Sequence, residues 1–339
     1  MKIDNQFESY FKNRLKQVFI YLTDNCQLHC SYCLYKTNLS NREIDYNTLV
    51  QLINTFYNYG ARKITLLGGE PTLYSHFIDL LSVIKEIGYE YLRVDTNGMF
   101  PKELLDSPNT KLIDNISFSL DDYLAETTSL MRGNNHTQIV SNIQSTINKG
   151  LFVTVTSCVH KLNIDRIDSI ISYFQDIGIK EVNFHPIFKV GIDRDNFTGG
   201  NHLIPNEWVN KYNEIRKDIE NNKYSTDIRF SPRFIPIEDN YSYCPAKMGE
   251  RVLVHPNGEI RICALCIGSR FKIAFYDNLK ITWDASEDNE IASKRIASSK
   301  YYCLSQTKDF KNLQPVCISF KPYQKEYIWE NEKFDSKFV

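Results

Sequence analysis

The stretch from Gln17 to Leu34, QVFIYLTDNCQLHCSYCL, joins a β-branched run to three closely spaced cysteines. Its first six residues, QVFIYL, are typical of a buried strand. Cys26, Cys30 and Cys33 follow, and the first of them stands four residues after the predicted strand ends. A structural zinc site uses four ligands and a disulfide uses two thiols, so three cysteines match neither. The end of this strand therefore carries a ligand set with one position open.

The same strand begins a repeating pattern in which β-branched runs alternate with helical periodicity. Gly60, Gly88, Gly150 and Gly178 each follow a helical stretch and precede a strand, where glycine favours a left-handed helix end. The predicted strands are QVFIYL (17–22), KITLLG (63–68), YLRVDT (91–96), NISFSL (115–120), FVTVTSC (152–158) and EVNFHPIF (181–188). Two apolar stripes predict the buried faces of helices, one at Leu49, Leu52, Ile53 and Phe56 and one at Ile164, Ile167, Ile170, Ile171 and Phe174.

Six such units predict an α/β fold built as a partial (β/α)6 barrel, because parallel strands with right-handed helical crossovers close toward a barrel. Functional groups then lie at the carboxyl ends of the strands. The segments GGEP (68–71), TNG (96–98) and SLDD (119–122) end the second, third and fourth strands. We expect them to meet the three cysteines at one rim.

The pattern stops near residue 190, which predicts three regions: a barrel over 1–190, a linker and helix over 191–238, and a small second unit over 239–339. The helix is expected at 206–223. The segment RVLVHPNGEIRIC (251–263) predicts a hairpin that turns at PNG. A small unit with a thin core gains most from a metal centre. Five of the nine cysteines lie in it, at Cys244, Cys263, Cys266, Cys303 and Cys317.

Composition narrows the class of protein. The chain has 339 residues, 42% of them hydrophobic, and a net charge of −1, which lacks the basic excess of a nucleic-acid binder. No apolar window is long enough to span a membrane and no signal peptide begins the sequence, so we expect a cytoplasmic protein with no membrane partner. An odd number of cysteines in a reducing compartment indicates metal or redox chemistry rather than disulfides.

The cysteine spacing, with Tyr32 before Cys33, resembles the CxxxCxxC signature of the radical S-adenosylmethionine (radical SAM) superfamily. Three thiolates can hold three irons of a [4Fe-4S] cube and leave the fourth open. The resemblance implies that Cys26, Cys30 and Cys33 hold this cluster and that S-adenosylmethionine (SAM) binds the open iron. An alternative is a zinc knuckle that uses His29 as its fourth ligand.

The resemblance extends to the next strand ends. In the superfamily a GGE motif contacts the amino group of SAM, and Gly68, Gly69 and Glu70 stand at the matching place. Glycines let a backbone approach a ligand closely, and a carboxylate accepts from an ammonium group. Similar TNG, SLD and RG elements imply further SAM contacts, matched here by Asn97, by Ser119 with Asp121, and by Arg132 with Gly133.

The second cysteine group resembles the start of a SPASM or twitch extension, which carries auxiliary clusters in many radical SAM enzymes. Cys244, Gly258 and Cys263 have the spacing C-x13-G-x4-C. The resemblance implies one auxiliary [4Fe-4S] cluster, held by Cys244, Cys263, Cys303 and Cys317. Cys266 is a competing candidate for the place of Cys303 or Cys317, or else acts as a hydrogen-atom donor. The alternative to an auxiliary cluster is a structural zinc site.

Two further residues have two interpretations each. Cys158 lies within the fifth predicted strand and is expected to be a small core residue. His185 lies at the end of the sixth strand. It either contacts substrate or adenine there, or it is a structural histidine.

The resemblance implies that SAM is cleaved to a 5'-deoxyadenosyl radical, which takes a hydrogen atom from the substrate. We expect the substrate to be a ribosomally synthesised peptide that is cross-linked, epimerised or oxidised, and an external donor such as flavodoxin or ferredoxin to supply the electron. Because 25 residues precede Cys26, leader recognition would need a partner protein or the barrel itself. The alternatives are a radical SAM dehydrogenase or modifier of a small molecule such as an amino sugar, and a non-catalytic metal-binding protein.

Overall fold

The fold was obtained as a computed structural model that describes residues 1–33, 40–188, 200–231, 233–236, 245–246, 248–264, 272–284 and 313–316. Seven helices lie in these ranges: α1 Asn5–Phe11, α2 Tyr46–Asn58, α3 Phe77–Ile87, α4 Ala125–Arg132, α5 His136–Asn148, α6 Ile167–Asp176 and α7 Pro205–Glu220. The strands in the first half of the chain are β1 Lys2–Ile3, β2 Gln17–Tyr21, β3 Lys63–Leu67, β4 Tyr91–Thr96, β5 Asn115–Ser119 and β6 Val153–Val159. The remaining strands are β7 Glu181–Pro186, β8 Asp227–Phe230, β9 Arg233–Pro236, β10 Arg251–Val254, β11 Glu259–Arg261, β12 Ala274–Asp277, β13 Lys280–Trp283 and β14 Leu313–Val316.

One twelve-stranded sheet dominates the molecule, in the order β1-β13-β12-β11-β10-β2-β3-β4-β5-β6-β7-β8. Its central run, from β10 through β2 to β8, is parallel throughout. The six predicted strands are β2 to β7, in sequence order. The expected six-stranded barrel is an undercount, because β8 adds a parallel strand beyond β7 and β10 adds one beside β2.

The 251–263 hairpin forms as predicted, with Val254 opposite Ile260. Its place was not expected: β10 pairs with β2 from Arg251 opposite Gln17 to Val254 opposite Ile20, so the hairpin extends the barrel sheet. A separate unit over 239–339 stays a prediction. Among the described residues of that range, β10 to β13 continue the barrel sheet, whereas β14 pairs with β9 in a separate two-stranded sheet.

The main core lies between the sheet and the helices. All four residues of the first predicted stripe are fully buried on α2. The second stripe is buried on α6 from Ile167 onward, whereas Ile164 belongs to a short 3-10 turn before the helix. Gly60, Gly88, Gly150 and Gly178 all have positive φ at helix ends, as predicted. The amphipathic periodicity thus located the helices and glycine marked their ends.

Strand residues alternate between this core and the opposite, inner face of the sheet. The residues that face the helices are apolar, as at Leu92 and Val94 on β4, Ile116 and Phe118 on β5, and Val182 and Phe184 on β7. The alternate positions are polar, with Arg93 and Asp95 on β4, Asn115 and Ser117 on β5, and Glu181, Asn183 and His185 on β7. The inner face therefore differs from the packed apolar interior of a closed (β/α)8 barrel.

None of the described helices combines the length and the apolar character needed to cross a membrane.

Candidate active site

The cysteine loop, residues 25–33, leaves the carboxyl end of β2. Cys26, Cys30 and Cys33 are half-buried on it. The backbone N–H of Leu28 donates to Cys26 Sγ at 3.4 Å, and the Asn97 amide donates to the same sulfur at 3.7 Å. Such N–H donors stabilise the thiolate form that binds iron. The loop thus presents three thiols at the rim where they were predicted.

Burial raises the pKa of the Cys26 and Cys30 thiols, so without a bound cation they hold their protons. A metal centre would release those protons on binding. Within the described ranges, no three His, Cys, Asp or Glu side chains lie close enough together to hold one metal ion. A [4Fe-4S] cube places each thiolate on a different iron, so its ligands stand farther apart than those of a zinc ion. His29, the proposed fourth zinc ligand, is exposed.

Gly68 and Gly69 bring the end of β3 against the start of the cysteine loop. The Gly69 N–H donates to Thr23 O at 2.7 Å, and the Glu70 N–H donates to Asn25 O at 2.8 Å. A Cβ atom on Gly68 would lie 2.6 Å from Thr23 O, and one on Gly69 would lie 2.2 Å from Asn25 O. Both distances are shorter than any real contact, so only glycine fits. These glycines are required by the backbone packing, and their contact with SAM stays a prediction.

Glu70 is fully buried and already supplied with donors. Its Oε1 accepts from the Thr72 and Thr96 hydroxyls, each at 2.7 Å, and its Oε2 accepts from the Asn97 N–H at 2.7 Å. Burial raises its pKa, and these bonds oppose that rise. Glu70 therefore links the ends of β3 and β4. If Glu70 also contacts the amino group of SAM, as expected, it must do so through carboxylate oxygens that already accept hydrogen bonds within the protein.

Of the other residues matched to SAM contacts, Asn97 and Ser119 differ in their surroundings. Asn97 is buried and directs its amide toward Cys26 and toward Gln27 Oε1, at 3.3 Å. Ser119 ends β5 and is half-buried. Among the residues described, its hydroxyl has no hydrogen-bond partner, so it is available to a ligand.

A buried polar network holds the second half of the cysteine loop. The Tyr32 hydroxyl donates to Asp121 Oδ2 at 2.5 Å and accepts from Arg132 Nη1. Burial raises the pKa of Tyr32, so the hydroxyl keeps its proton and remains a donor. Cys158, which was expected to be a small core residue, packs with Cys30 against a small buried cluster that contains Tyr32.

Polar side chains of the inner face lie below this loop. Arg93 Nε donates to Asp95 Oδ1 at 2.5 Å, and their side chains are 15% and 35% exposed. Farther in, Arg229 Nη2 and Glu181 Oε2 form a buried pair at 2.9 Å. Sequence reasoning missed these residues. The signal that could have found them is the alternation of Arg93 and Asp95 with apolar residues in YLRVDT.

His185 is neutral and offers a donor to the interior. Ser231 Oγ donates to Asn183 Oδ1 at 3.1 Å, which leaves the Asn183 amide to donate to His185 Nε2 at 2.8 Å. The ring proton is then on Nδ1. Burial and the positive charge of Arg93 lower the pKa of His185 to about 4. Because His185 lies opposite Cys158 across β6 and β7, its half-buried ring is close to the cysteine loop.

The second cysteine group can be followed only at Cys263, which is half-buried. Cys244, Cys266, Cys303 and Cys317 lie outside the described residues. Gly258 has φ +88°, as its predicted turn requires, and a Cβ there would lie 2.9 Å from Tyr276 O. Because β10 is parallel to β2 and β11 runs back against β10, Cys263 lies at the amino end of the barrel strands. The cysteine loop lies at the opposite end.

Residues 20–174 match the family model of the radical SAM superfamily. The match contains the cysteine loop, the GGE segment and the Tyr32, Asp121 and Arg132 network.

Among curated proteins, the chain is 30% identical over 190 residues to the GTP 3',8-cyclase of Limosilactobacillus fermentum, a stretch of 50% of this chain and 54% of that protein. The chain thus matches about half the length of that relative. It is 25% identical over 297 residues to a probable GTP 3',8-cyclase of Saccharolobus islandicus, which is 86% of this chain and 90% of that protein.

Two solved structures share the fold. Streptococcus suis SuiB bound to S-adenosylmethionine has a TM-score of 0.65 at 15% identity, with 85% of this chain and 70% of SuiB covered. Native anSMEcpe with bound AdoMet and Cp18Cys peptide has a TM-score of 0.60 at 14% identity, with coverage of 84% and 80%. At these identities the likeness concerns the fold alone.

We predict that Gly69→Ala at least halves the iron retained after anaerobic reconstitution, because the added methyl group displaces Asn25 and with it the start of the cysteine loop. Iron analysis and thermal unfolding measure the two effects. Gly150→Ala is the control, since its φ is also positive but its methyl group meets nothing within 4 Å. It should lower stability by about 1–2 kcal/mol, the cost of an L-residue in the left-handed region, and leave iron unchanged. Equal iron content in the Gly69 variant and the wild type would contradict the prediction.

Proposed function

We propose that the protein is a radical SAM enzyme in which Cys26, Cys30 and Cys33 hold a [4Fe-4S] cluster. The proposal is carried by the joint position of three thiols and the GGE segment on neighbouring strand ends, within the residues that match the superfamily. The bound cluster and SAM would supply a 5'-deoxyadenosyl radical, with the electron delivered by a donor such as flavodoxin or ferredoxin.

The chain's own residues would prepare that chemistry. Leu28 N–H and the Asn97 amide stabilise the Cys26 thiolate. Ser119 offers a hydroxyl to SAM at the end of β5. The inner face surrounds the substrate, so that a reactive radical is kept close to one carbon and away from water.

We propose a small polar molecule as the substrate, in preference to the expected peptide. The curated relatives are named GTP 3',8-cyclases, and GTP is a small polar molecule. The inner face supports the same choice. Arg93 has two Nη groups without hydrogen-bond partners among the residues described, and His185 adds an Nδ1–H donor. Apolar peptide side chains placed there would leave these donors unpaired, at a cost of about 1–3 kcal/mol each.

We further propose one auxiliary [4Fe-4S] cluster on Cys244, Cys263, Cys303 and Cys317, with Cys266 as the competing ligand. It is supported by the hairpin at Gly258 and by Cys263 at the end of β11.

We expect Cys26→Ala, Cys30→Ala and Cys33→Ala each to abolish reductive SAM cleavage, because each removes one thiolate from the cube. Chromatographic detection of 5'-deoxyadenosine after anaerobic reduction with dithionite provides the measurement. Cys158→Ala removes a neighbouring thiol that is no proposed ligand and should retain cleavage. Formation of 5'-deoxyadenosine by a purified, reconstituted variant of any of the three would overturn the assignment.

Cys244→Ala and Cys263→Ala should each remove about four irons per chain and leave the other four in place. Iron and sulfide analysis of the reconstituted protein tests this, and Cys158→Ala again serves as the control. Zinc in place of the lost iron would favour the structural-zinc alternative. An iron content equal to that of the wild type would refute the auxiliary cluster.

Substrate class is tested by calorimetric titration of the reconstituted protein with GTP. His185→Phe should weaken GTP binding by about tenfold, because it removes the Nδ1–H donor from a buried wall. It should leave slow 5'-deoxyadenosine formation without substrate unchanged. His76→Phe, on a half-exposed histidine at the start of α3, is the control. Absence of GTP binding, together with peptide-dependent SAM cleavage, would restore the peptide interpretation.

A further inference from the structure

The half of the cysteine loop that contains Cys30 and Cys33 is attached to α4 and to the end of β5. The backbone N–H of Ser31 donates to Met131 O at 2.9 Å. One residue later, the Tyr32 hydroxyl lies between Asp121 Oδ2 and Arg132 Nη1. Ser31 and Tyr32 are the two residues between Cys30 and Cys33. Both residues between these two thiols are therefore bonded to α4 or to the segment after β5.

Asp121 is the fixed point of this attachment. It is fully buried, and its Oδ1 accepts from the Cys158 N–H at 3.1 Å. Its own backbone carbonyl accepts from Ser157 Oγ at 3.1 Å and from the Asn163 amide at 3.0 Å. Asp121 is thus held by β6 through its carboxylate and backbone carbonyl, and by the turn after β6 through its carbonyl. Tyr32, by contrast, belongs to a loop without regular secondary structure.

Arg132 completes the network and balances its charge. Its Nη1 lies 3.6 Å from Asp121 Oδ1, and the two side chains are 6% and 0% exposed. The guanidinium carbon also lies 5.8 Å from the centre of the Tyr32 ring. A buried carboxylate and a buried guanidinium that share one tyrosine hydroxyl allow few other positions for that tyrosine. If the carboxylate is lost, Arg132 is left as an unpaired buried charge and Tyr32 loses its acceptor.

We infer that Asp121 is a positioning residue for the iron–sulfur cluster, which acts through Tyr32 and Arg132 to set the geometry of the Cys30–Cys33 segment. The cluster and its SAM site would then depend on a carboxylate whose two oxygens are bonded to Tyr32 and Cys158. This inference rests on the proposed function for the identity of the cluster. The attachment itself can be tested without iron.

The next residue in the chain provides a matched control. Asp122 is also fully buried and pairs with an arginine, since Arg166 Nη2 lies 2.5 Å from its Oδ2. Its Oδ1 accepts from the Leu124 N–H at 3.1 Å. Asp121→Asn and Asp122→Asn therefore remove the same charge from similar environments, but only the first change reaches the cysteine loop. Tyr32→Phe removes the hydroxyl alone and keeps both charged residues.

The experiment compares wild type, Asp121→Asn, Asp122→Asn and Tyr32→Phe in two states. In the iron-free full-length protein, hydrogen exchange of residues 26–33 should be at least about tenfold faster in the Asp121 and Tyr32 variants than in the Asp122 variant. After reconstitution, the electron paramagnetic resonance spectrum of the reduced cluster should change in the same two variants, and their SAM affinity should fall by about tenfold. Melting temperatures should fall equally in the two aspartate variants.

Equal loop exchange and equal spectra in the Asp121 and Asp122 variants would overturn the inference, because the effect would then be general destabilisation. Should Asp121→Asn fail to fold, Tyr32→Phe decides alone: wild-type exchange and a wild-type spectrum would refute the role. A wild-type protein that takes up no iron would refute the proposed function instead. The exchange difference in the iron-free protein would still report on the attachment.

Discussion

The close backbone contact between the end of β3 and the start of the cysteine loop is the constraint on which the rest of the site depends. Two hydrogen bonds, from Gly69 N–H to Thr23 O and from Glu70 N–H to Asn25 O, join the segments where both leave the sheet. No side chain fits at either glycine. Once this contact forms, Glu70 is buried and ties β3 to β4, and Asn97 is brought to Cys26. Backbone packing therefore assembles three strand ends around one thiol.

The second half of the loop is held by a different kind of interaction. Tyr32 is bound by buried charges rather than by backbone contacts. A buried polar network is stabilising only while its donors and acceptors have hydrogen-bond partners. It restricts the orientation of a side chain more tightly than apolar packing does. The loop is thus fastened at its start by sterics and at its end by directed hydrogen bonds. This combination holds three thiols on a segment without regular secondary structure.

The polar inner face has a consequence for stability. A closed barrel fills its interior with branched apolar side chains, whereas this sheet faces inward with groups such as Arg93, Asp95 and His185. The apolar core lies outside the strands instead, between the sheet and helices such as α2 and α6. Because the outer layer supplies the hydrophobic burial, the inner face can carry polar side chains.

Much of this architecture could be read from local patterns. The six central strands, the buried faces of α2 and α6 and the glycines at helix ends follow from periodicity and backbone preference, which act over a few residues. The strand β8 was missed because Asp227–Phe230 is too short to show alternation. The stripe at Ile164 was assigned to a helix that begins three residues later, since periodicity does not separate a 3-10 turn from the helix that follows it.

The sequence by itself determined the cysteine spacing, the GGE segment beside it and the rim on which they would meet, because parallel strands place their carboxyl ends together. Only the tertiary structure decided that the hairpin at 251–263 joins β2, that Glu70 is occupied by Thr72, Thr96 and Asn97, and that Asp121 holds Tyr32 from 89 residues away. Pairing and side-chain contacts between distant segments depend on the register of the whole sheet. No local pattern records that register.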